Sequence, residues 1–453
     1  MFTLPVALTL GLACKHVEVT VSPTPGSDLS AIVSWQTPGD VEAWVEFGEG
    51  ALTHRTTAVS TGADHALVVL GMKAERTYAL QAVWDDDGKE RRSDLLEYTT
   101  GELPYDWLVG DVDVLDEDAM QPGWTLVNTH VGTITPVVAA MYDTDGEPVW
   151  IYTGGDDGRA DLQLTLVDDT VLMGPGVPAG EAVRRVALDG TTVWEGFTQA
   201  GERDQIGLVA GQYHNVLEWL GDDEIATVKA IEYDDALADV VEIHDLDGNL
   251  VWSWDFTDHV DFSDEQPSFN MWWTHANSVS QREGKVYVNS WSLERQFCID
   301  RASGELDWTL GGNADFNVAG LAADVFTGPA HSFEALGGDR FLAYDNGSTQ
   351  RGSRAVEYAL DLDAMTAEVA WAYPGDFSDA ETWYNQSQGD ADRLDNGNTL
   401  ISAGNAGAGE DASRLLEVTP DGELAWRFWF HASEEALAGA YQVERIPAFS
   451  EPL

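Results

Sequence analysis

Six times along this chain a tight acidic or glycine turn is followed, four residues after its last turn position, by a tryptophan. The copies run from Asp143 through Gly146 to Trp150, from Asp189 and Gly190 to Trp194, and from Asp247 and Gly248 to Trp252. They continue from Ser303 and Gly304 to Trp308, from Asp363 through Ala367 to Trp371, and from Asp421 and Gly422 to Trp426. The fifth copy is degenerate, because Ala367 replaces the glycine. Successive tryptophans are 44, 58, 56, 63 and 55 residues apart. A unit recurring every 40–60 residues or so marks a repeat architecture. Asp-Gly between two β-rich runs reads as a hairpin turn, since glycine supplies the positive φ such turns need. A hairpin that always delivers a tryptophan to the same place predicts one blade of a β-propeller, with the indole wedged between neighbouring blades.

Bulk properties agree with an all-β, turn-rich globular chain: 453 residues, 44% hydrophobic, with 18 Trp and 44 Gly. The net charge is −56. Acidity on this scale excludes nucleic acid as a partner, because phosphates would be repelled. It also excludes docking on anionic lipid through a basic face. A solvated surface accounts for most of the charge. Calcium held by the Asp-x-Asp-Gly loops is the alternative, but the loops coincide with the hairpins and none extends to a twelve-residue calcium loop.

The two cysteines are Cys14 and Cys298. Cys14 ends the apolar run Leu4–Ala13 and precedes Lys15. The stretch from Leu10 to Cys14 resembles a bacterial lipoprotein cleavage site, with Cys14 as the lipid attachment residue; a plain secretory signal is the other reading. Either way residues 1–16 are a leader outside the fold, and the setting is the cell envelope or the secreted space. Membrane contact is then confined to an N-terminal lipid anchor, because no other apolar stretch is long enough to span a bilayer. Cys298, left alone in a strand, reads as core filler.

Residues 17–100 carry short alternating runs, Ala31–Trp35, Ala43–Gly48, His65–Leu70 and Thr77–Val83, which predict a β-sandwich. The early Trp35 and late Tyr78 make this unit similar to a fibronectin type III module. His65 falls at a strand end, and Gly101–Pro104 reads as a linker. Residues 105–445 hold six propeller units. Within them a second signature recurs, a strand opening on a polar residue, then a loop with Gly or Asn, then an apolar strand. Its copies begin at His214, His275, His331 and Gly389, with a weaker one at Asp161. The innermost strand of each blade lines the central channel. Three histidines at one repeat position of consecutive blades should therefore converge on the channel mouth.

Imidazole can serve as nucleophile, acid, base or metal ligand because it titrates near neutrality. The residues alone leave three readings open: histidines that bond only to their neighbours in a polar channel, a three-histidine metal site, or a catalytic cluster. The metal reading is weakened because the motif brings no carboxylate with it, and no metal ligand is expected. His431 reads as structural, and His130, His244 and His259 fall in outer strands or loops.

Several segments resemble the bacterial arylsulfotransferase family. They are Thr274, His275, Asn277 and the following strand, Ile299 to Gly312 with Trp308 inside it, Gly328 to His331 running into Phe341–Gly347 with its Asp345-Asn346-Gly347 turn, and Arg393–Ile401. The resemblance covers about 105–445, and members carry a small β-domain before a six-bladed propeller. It implies transfer of a sulfuryl group from an aryl sulfate to a phenol, without a nucleotide or other cofactor, through a sulfohistidine. By position, His331 matches the nucleophile, His275 and Asn277 the sulfate-holding pair, and His214 the histidine one blade earlier. Convergent donors suit the chemistry, because charge grows on the sulfuryl oxygens and the leaving phenolate. One family position departs: Trp291 stands where an arginine is usual, which leaves Arg295, Arg354 or Arg351 to supply the cation. Ala330 replaces a glutamine before the nucleophile. Two other readings compete. One is a catalytically silent propeller binding a ligand or partner through Trp272, Trp273, Trp291 and Trp383. The other is a quinoprotein-like dehydrogenase, disfavoured by the single propeller cysteine.

Overall fold

The computed structural model describes residues 17–453 except positions 61, 132–136, 155–162, 175–182, 197–210, 212, 235, 262–271, 312–313, 317–328, 350, 375–382, 405–412 and 431–437. Cys14 with the leader, and His431, lie outside the described residues.

The repeat has become six antiparallel sheets around one axis. Blade 1 comprises Gln163–Gly196, blade 2 Tyr213–Asp255, blade 3 Ala276–Gly311 and blade 4 Ala330–Tyr373, each with four strands in chain order from the axis outward. Blade 5 takes the four strands of Asp390–Phe430 and gains a fifth at its outer edge, Gly110–Leu115, which pairs with Leu424–Phe430. Blade 6 is made from both ends of the propeller sequence. Its innermost strand is Ala438–Ile446, paired to Trp124–Val131, followed outward by Val137–Tyr142 and Pro148–Tyr152. This exchange ties the first and last propeller segments together and closes the ring, and the innermost strands touch in a complete cycle. Closure removes the sheet edges that an open array would expose.

Each blade-to-blade boundary buries its own apolar cluster. Blades 2 and 3 enclose Val228, Trp254, Phe256, Trp273, Val288 and Phe297, and blades 3 and 4 enclose Cys298, Trp308, Phe333 and Phe341. Cys298 is therefore core filler, and burial pushes its thiol up to about 12. All six repeat tryptophans lie on the fourth strand of a blade, as the hairpin pattern predicts. Four of them donate the indole N–H to a carbonyl beside the hairpin of the next blade: Trp150 to Leu188 at 2.9 Å, Trp194 to Leu246 at 2.8 Å, Trp252 to Arg301 at 2.9 Å and Trp426 to Thr144 at 3.0 Å. The turn and the tryptophan are thus two halves of one interblade joint. In the degenerate fifth copy Trp371 instead lies under the Arg393 guanidinium, 5.2 Å from its ring centre.

The N-terminal strands form two sheets with Val33, Trp35, Val45, Phe47, Leu67 and Leu80 packed between them. His65 stacks on Trp35 within this unit. The chain's last strand, Ser450–Pro452, returns from the propeller and pairs with His54–Thr56. The N-terminal unit docks on the hairpins of blades 6 and 1. Gly26 donates to Asp189 O at 3.2 Å, and a Cβ on either Gly26 or Gly190 would collide with the other's Cα, so both positions need glycine. Lys73 inserts between Asp143 at 2.7 Å, Asp145 at 3.3 Å and Glu147, while Arg76 reaches Glu147 at 2.6 Å. The most calcium-like Asp-x-Asp-Gly loop is therefore filled by an ammonium group from the neighbouring unit. Despite burial, the bonds to Asp143 and Glu147 raise the Lys73 pKa and keep it charged.

Candidate functional site

The ring axis encloses a cavity of about 240 Å³, lined by residues from all six innermost strands. What faces it is decided by β-bulges. In blade 4, Ala330 pairs with Asp345 and Ser332 with Tyr344, so His331 drops out of the ladder. In blade 3, Ala276 pairs with Ser290 and Ser278 with Asn289, leaving out Asn277. In blade 2, His214 pairs with Val228 and Leu217 with Thr227, leaving out Asn215 and Val216. Blade 6 slips likewise at Tyr441 and Gln442. A bulge re-aims side chains beside functional sites, and every one of these bulged residues lines the cavity.

This corrects the repeat alignment. His214, His275 and His331 do not share a structural position. By pairing, His331 is equivalent to Asn277 and to Asn215, whereas His214 is equivalent to Ala276 and Ala330. Counting along the sequence missed this because each histidine was taken as the start of its strand, whereas His275 precedes the Ala276–Arg282 strand and His214 and His331 are the second residues of theirs. Of the three, only His331 lines the cavity, whereas His214 and His275 sit beside it at the strand starts of blades 2 and 3, packed on Trp272. His214 meets Trp272 edge-on at 4.4 Å, Trp272 stacks on His275 at 3.9 Å, and Trp291 closes on His275 at 5.3 Å. Burial, then the charges His331 and His214 would carry, push the His275 pKa down to about 3, against the pull of Asp239.

His331 is held in one tautomer. Its Nδ1 lies 2.6 Å from Asn346 Oδ1. The Asn346 amide nitrogen donates to the carbonyls of Asn385 at 3.1 Å and Gln388 at 2.8 Å, which fixes the amide's orientation. The oxygen must then accept from Nδ1–H, and Nε2 keeps a free lone pair. Burial lowers the His331 pKa to about 4 although the Asn346 bond opposes it, so the ring is neutral at pH 7. Tyr441 packs edge-on against it at 5.8 Å.

His214 has a carboxylate after all. Fully buried Asp239, on the third strand of blade 2, lies 2.9 Å from His214 Nε2. It also accepts from Trp272 Nε1 at 3.1 Å, Thr274 Oγ1 at 2.7 Å and the Ala276 N–H at 2.6 Å. Burial pushes its pKa up, but His214 and the other donors outweigh this and hold Asp239 below the usual carboxylate range. No carboxylate was foreseen beside the histidines because Asp239 is 25 residues from His214 in the chain.

Asn277 spends much of its amide on scaffold. Its Nδ2 donates to Ala330 O at 2.9 Å, and its Oδ1 accepts from Asn289 at 2.6 Å. Asn289 also donates to Ala330 O at 2.7 Å and is itself braced by Gln296. Asn277 therefore anchors the peptide beside His331 and keeps one N–H for the cavity it lines. The arginines stand apart. Arg354 is buried against Asp345 at 3.2 Å, Arg295 is buried on the third strand of blade 3, and neither lines the cavity. Trp272, Trp273 and Trp383 are buried, and Trp383 and Trp429 sandwich Arg414. They are packing residues and do not form the binding surface that the silent-propeller reading requires.

Further along the axis the cavity is lined by Glu218, Glu334, Asp390, Asp392 and Glu444. Burial first, then mutual repulsion, pushes Glu218 up to about 8, and burial raises Glu444 to about 7 and Asp390 to about 6. Among the described residues, the one group of three or more His, Cys, Asp or Glu ligand atoms within 4.8 Å of one another is the Lys73-filled set Asp143, Asp145 and Glu147. The channel acids and the three histidines are thus spaced too widely to share one ion directly. Of the residues the sequence did not single out, Asn346 was visible in the Asp345-Asn346-Gly347 turn, and Asn215 stood next to His214. Asp239 and the channel acids carried no local signal.

The family model described as Arylsulfotransferase (ASST) matches residues 112–424, more than half of the chain. The chain belongs to the arylsulfotransferase family. No curated protein matches it. Among solved structures, it is similar to Kuenenia stuttgartiensis hydrazine synthase, with 11% identity over 59% of this chain and 65% of that one, and a TM-score of 0.35. It thus spans slightly less than two thirds of that chain. It is also similar to the Cps50 (Swd1) β-propeller domain of Myceliophteria thermophila, with 12% identity over 71% and 90% and a TM-score of 0.38. The Dos1 propeller gives 10% identity over 93% and 86%, at 0.31. Likenesses this distant carry no functional inference, and the fold rests on the sheets described above.

Proposed function

We propose that this chain moves a sulfuryl group from an aryl sulfate to a phenol through a covalent intermediate on His331. The observation that carries the reading is the Asn346 lock, which leaves a buried, neutral imidazole with its Nε2 lone pair free. In the first step Nε2 attacks sulfur, the sulfur–oxygen bond to the aryl group breaks, and the phenolate leaves. In the second, an acceptor phenol attacks the same sulfur, loses its proton and expels His331 with its lone pair restored. A covalent carrier divides one hard transfer into two easier ones.

The surroundings serve the charge that develops. The remaining N–H of Asn277 faces the cavity as a donor. His275 is held neutral by burial and stacks on Trp272 beside the cavity, so it supports the site without carrying charge to the sulfate. Asp239 holds His214 through Nε2, and this buried pair, with Trp272, Thr274 and the Ala276 N–H, braces the wall of the cavity without lining it. Arg295 and Arg354 are less suited to hold sulfate than their charge suggests, because Arg354 is committed to Asp345. Binding therefore relies on neutral donors more than on cations. We place this chemistry in the cell envelope or outside the cell, on the strength of the apolar run before Cys14.

The test is steady-state transfer from 4-nitrophenyl sulfate to phenol. Ping-pong kinetics, lost in His331→Ala, support the reading. Nitrophenol release at the blank rate across a range of phenols contradicts it and favours a ligand-binding propeller.

A further inference from the structure

We infer that Asn215 is a ligand of the sulfuryl oxygens, contributing an uncharged donor to the cavity that His331 lines; this rests on the reading of His331 given above. Four observations point the same way. Asn215 lies in the blade 2 bulge that is equivalent by strand pairing to Asn277 in blade 3 and His331 in blade 4. It lines the same axial cavity as those two. It is only 7% exposed, and no other described residue hydrogen-bonds its carboxamide. Its backbone has φ of 52°, the left-handed region that asparagine tolerates better than most residues.

The Asn215 carboxamide opens onto the same cavity that His331 lines, so its N–H groups are left for whatever occupies that space. Asn277 uses most of its amide to hold Ala330, so it cannot surround the sulfuryl group alone. Trp291 packs on His275, and Arg354 is tied to Asp345. The donor set is therefore short of N–H groups on the blade 2 side, where Asn215 stands. A sulfuryl oxygen accepting from the Asn215 amide completes a set drawn from three consecutive blades.

The experiment uses two variants. Asn215→Gly removes the amide and keeps the left-handed backbone without strain. Asn215→Asp keeps the shape and replaces the N–H donor with a carboxylate. Single-turnover sulfonation of His331 by 4-nitrophenyl sulfate is followed by quenched flow, and binding of the same compound by calorimetry. Melting temperature reports any folding defect. One lost donor of this kind should slow the chemical step about 100-fold in Asn215→Gly, with a smaller change in donor affinity. Asn215→Asp should lose both binding and rate. Wild-type sulfonation rates in both variants overturn the inference while leaving His331 as nucleophile. If the wild-type protein binds the donor but sulfonates no histidine, the His331 reading fails, and the assignment of Asn215 then stands or falls on whether the two variants weaken binding. If the wild type does not bind the donor, both ideas fail.

Discussion

The axial carboxylates make stability fall as pH rises through neutrality, and Glu218→Gln should remove part of that fall. Glu218 titrates at about 8 in the folded chain against an ordinary 4.5. Between those values the folded state keeps a proton that the unfolded state has released. Unfolding then releases that proton, so stability declines as pH rises from 4.5 and the loss is complete above 8. At about 1.4 kcal/mol per pH unit, Glu218 alone removes about 5 kcal/mol at most, and about 2 kcal/mol between pH 6 and pH 8. Asp390 and Glu444 act in the same direction, while Arg393 and Arg282 near Glu334 soften the repulsion. Below pH 6.5 His275 and His331 act the other way, because burial holds them neutral and the unfolded chain takes up their protons first. Glu218, Glu444, Asp390 and Asp392 outnumber them, so stability should keep rising as pH falls and reach its maximum at or below about pH 5. Denaturant unfolding from pH 5 to pH 9 in 0.5 M or so of salt, which screens the acidic surface but not the interior, gives the profile. Glu218→Gln should match wild type at pH 5 and exceed it by about 3–4 kcal/mol at pH 8. Superimposable profiles for the two proteins would refute the reasoning.

Three further outcomes follow from the packing. Asn346→Ala frees the His331 tautomer and should slow sulfonation at least 100-fold or so, with the imidazole ¹⁵N shifts moving away from the Nδ1–H form; unchanged shifts count against the lock. Lys73→Ala leaves Asp143, Asp145 and Glu147 without their ammonium, and millimolar calcium should raise the melting temperature of the variant while leaving wild type unmoved. Trp426→Phe breaks the bond to Thr144 O that joins blades 5 and 6, and should cost about 1–3 kcal/mol in denaturant unfolding; a neutral effect would remove the indole N–H from the account of ring closure.

The toroid was legible because its repeating joint is local. A glycine or acidic turn and a tryptophan four residues on are visible in any one copy, and six copies count the blades. The closure of blade 6 was less visible, since Ala438–Ile446 finds Trp124–Val131 only across the whole propeller. At the site, His331 was readable from the strand signature, and Asn277 from the family resemblance. Their structural equivalence to Asn215 was not, because a bulge changes which residue faces the axis without leaving a mark in the residue pattern. Asp239 escaped for a related reason: an outer-strand aspartate in an acidic chain looks like any surface carboxylate until folding sets four donors around it. Among the described residues no arginine lines the cavity, whereas the amides of Asn215, Asn277 and Gln442 do.

The claim on which the rest depends is that His331 carries the group. Mixing the protein with 4-nitrophenyl sulfate, quenching at neutral pH and mapping peptides by mass spectrometry tests it directly. The account predicts sulfonation at His331, absent in His331→Ala and erased within one turnover by added phenol. Sulfonation at another residue, or nitrophenol release above the blank with His331 unmodified, would contradict it.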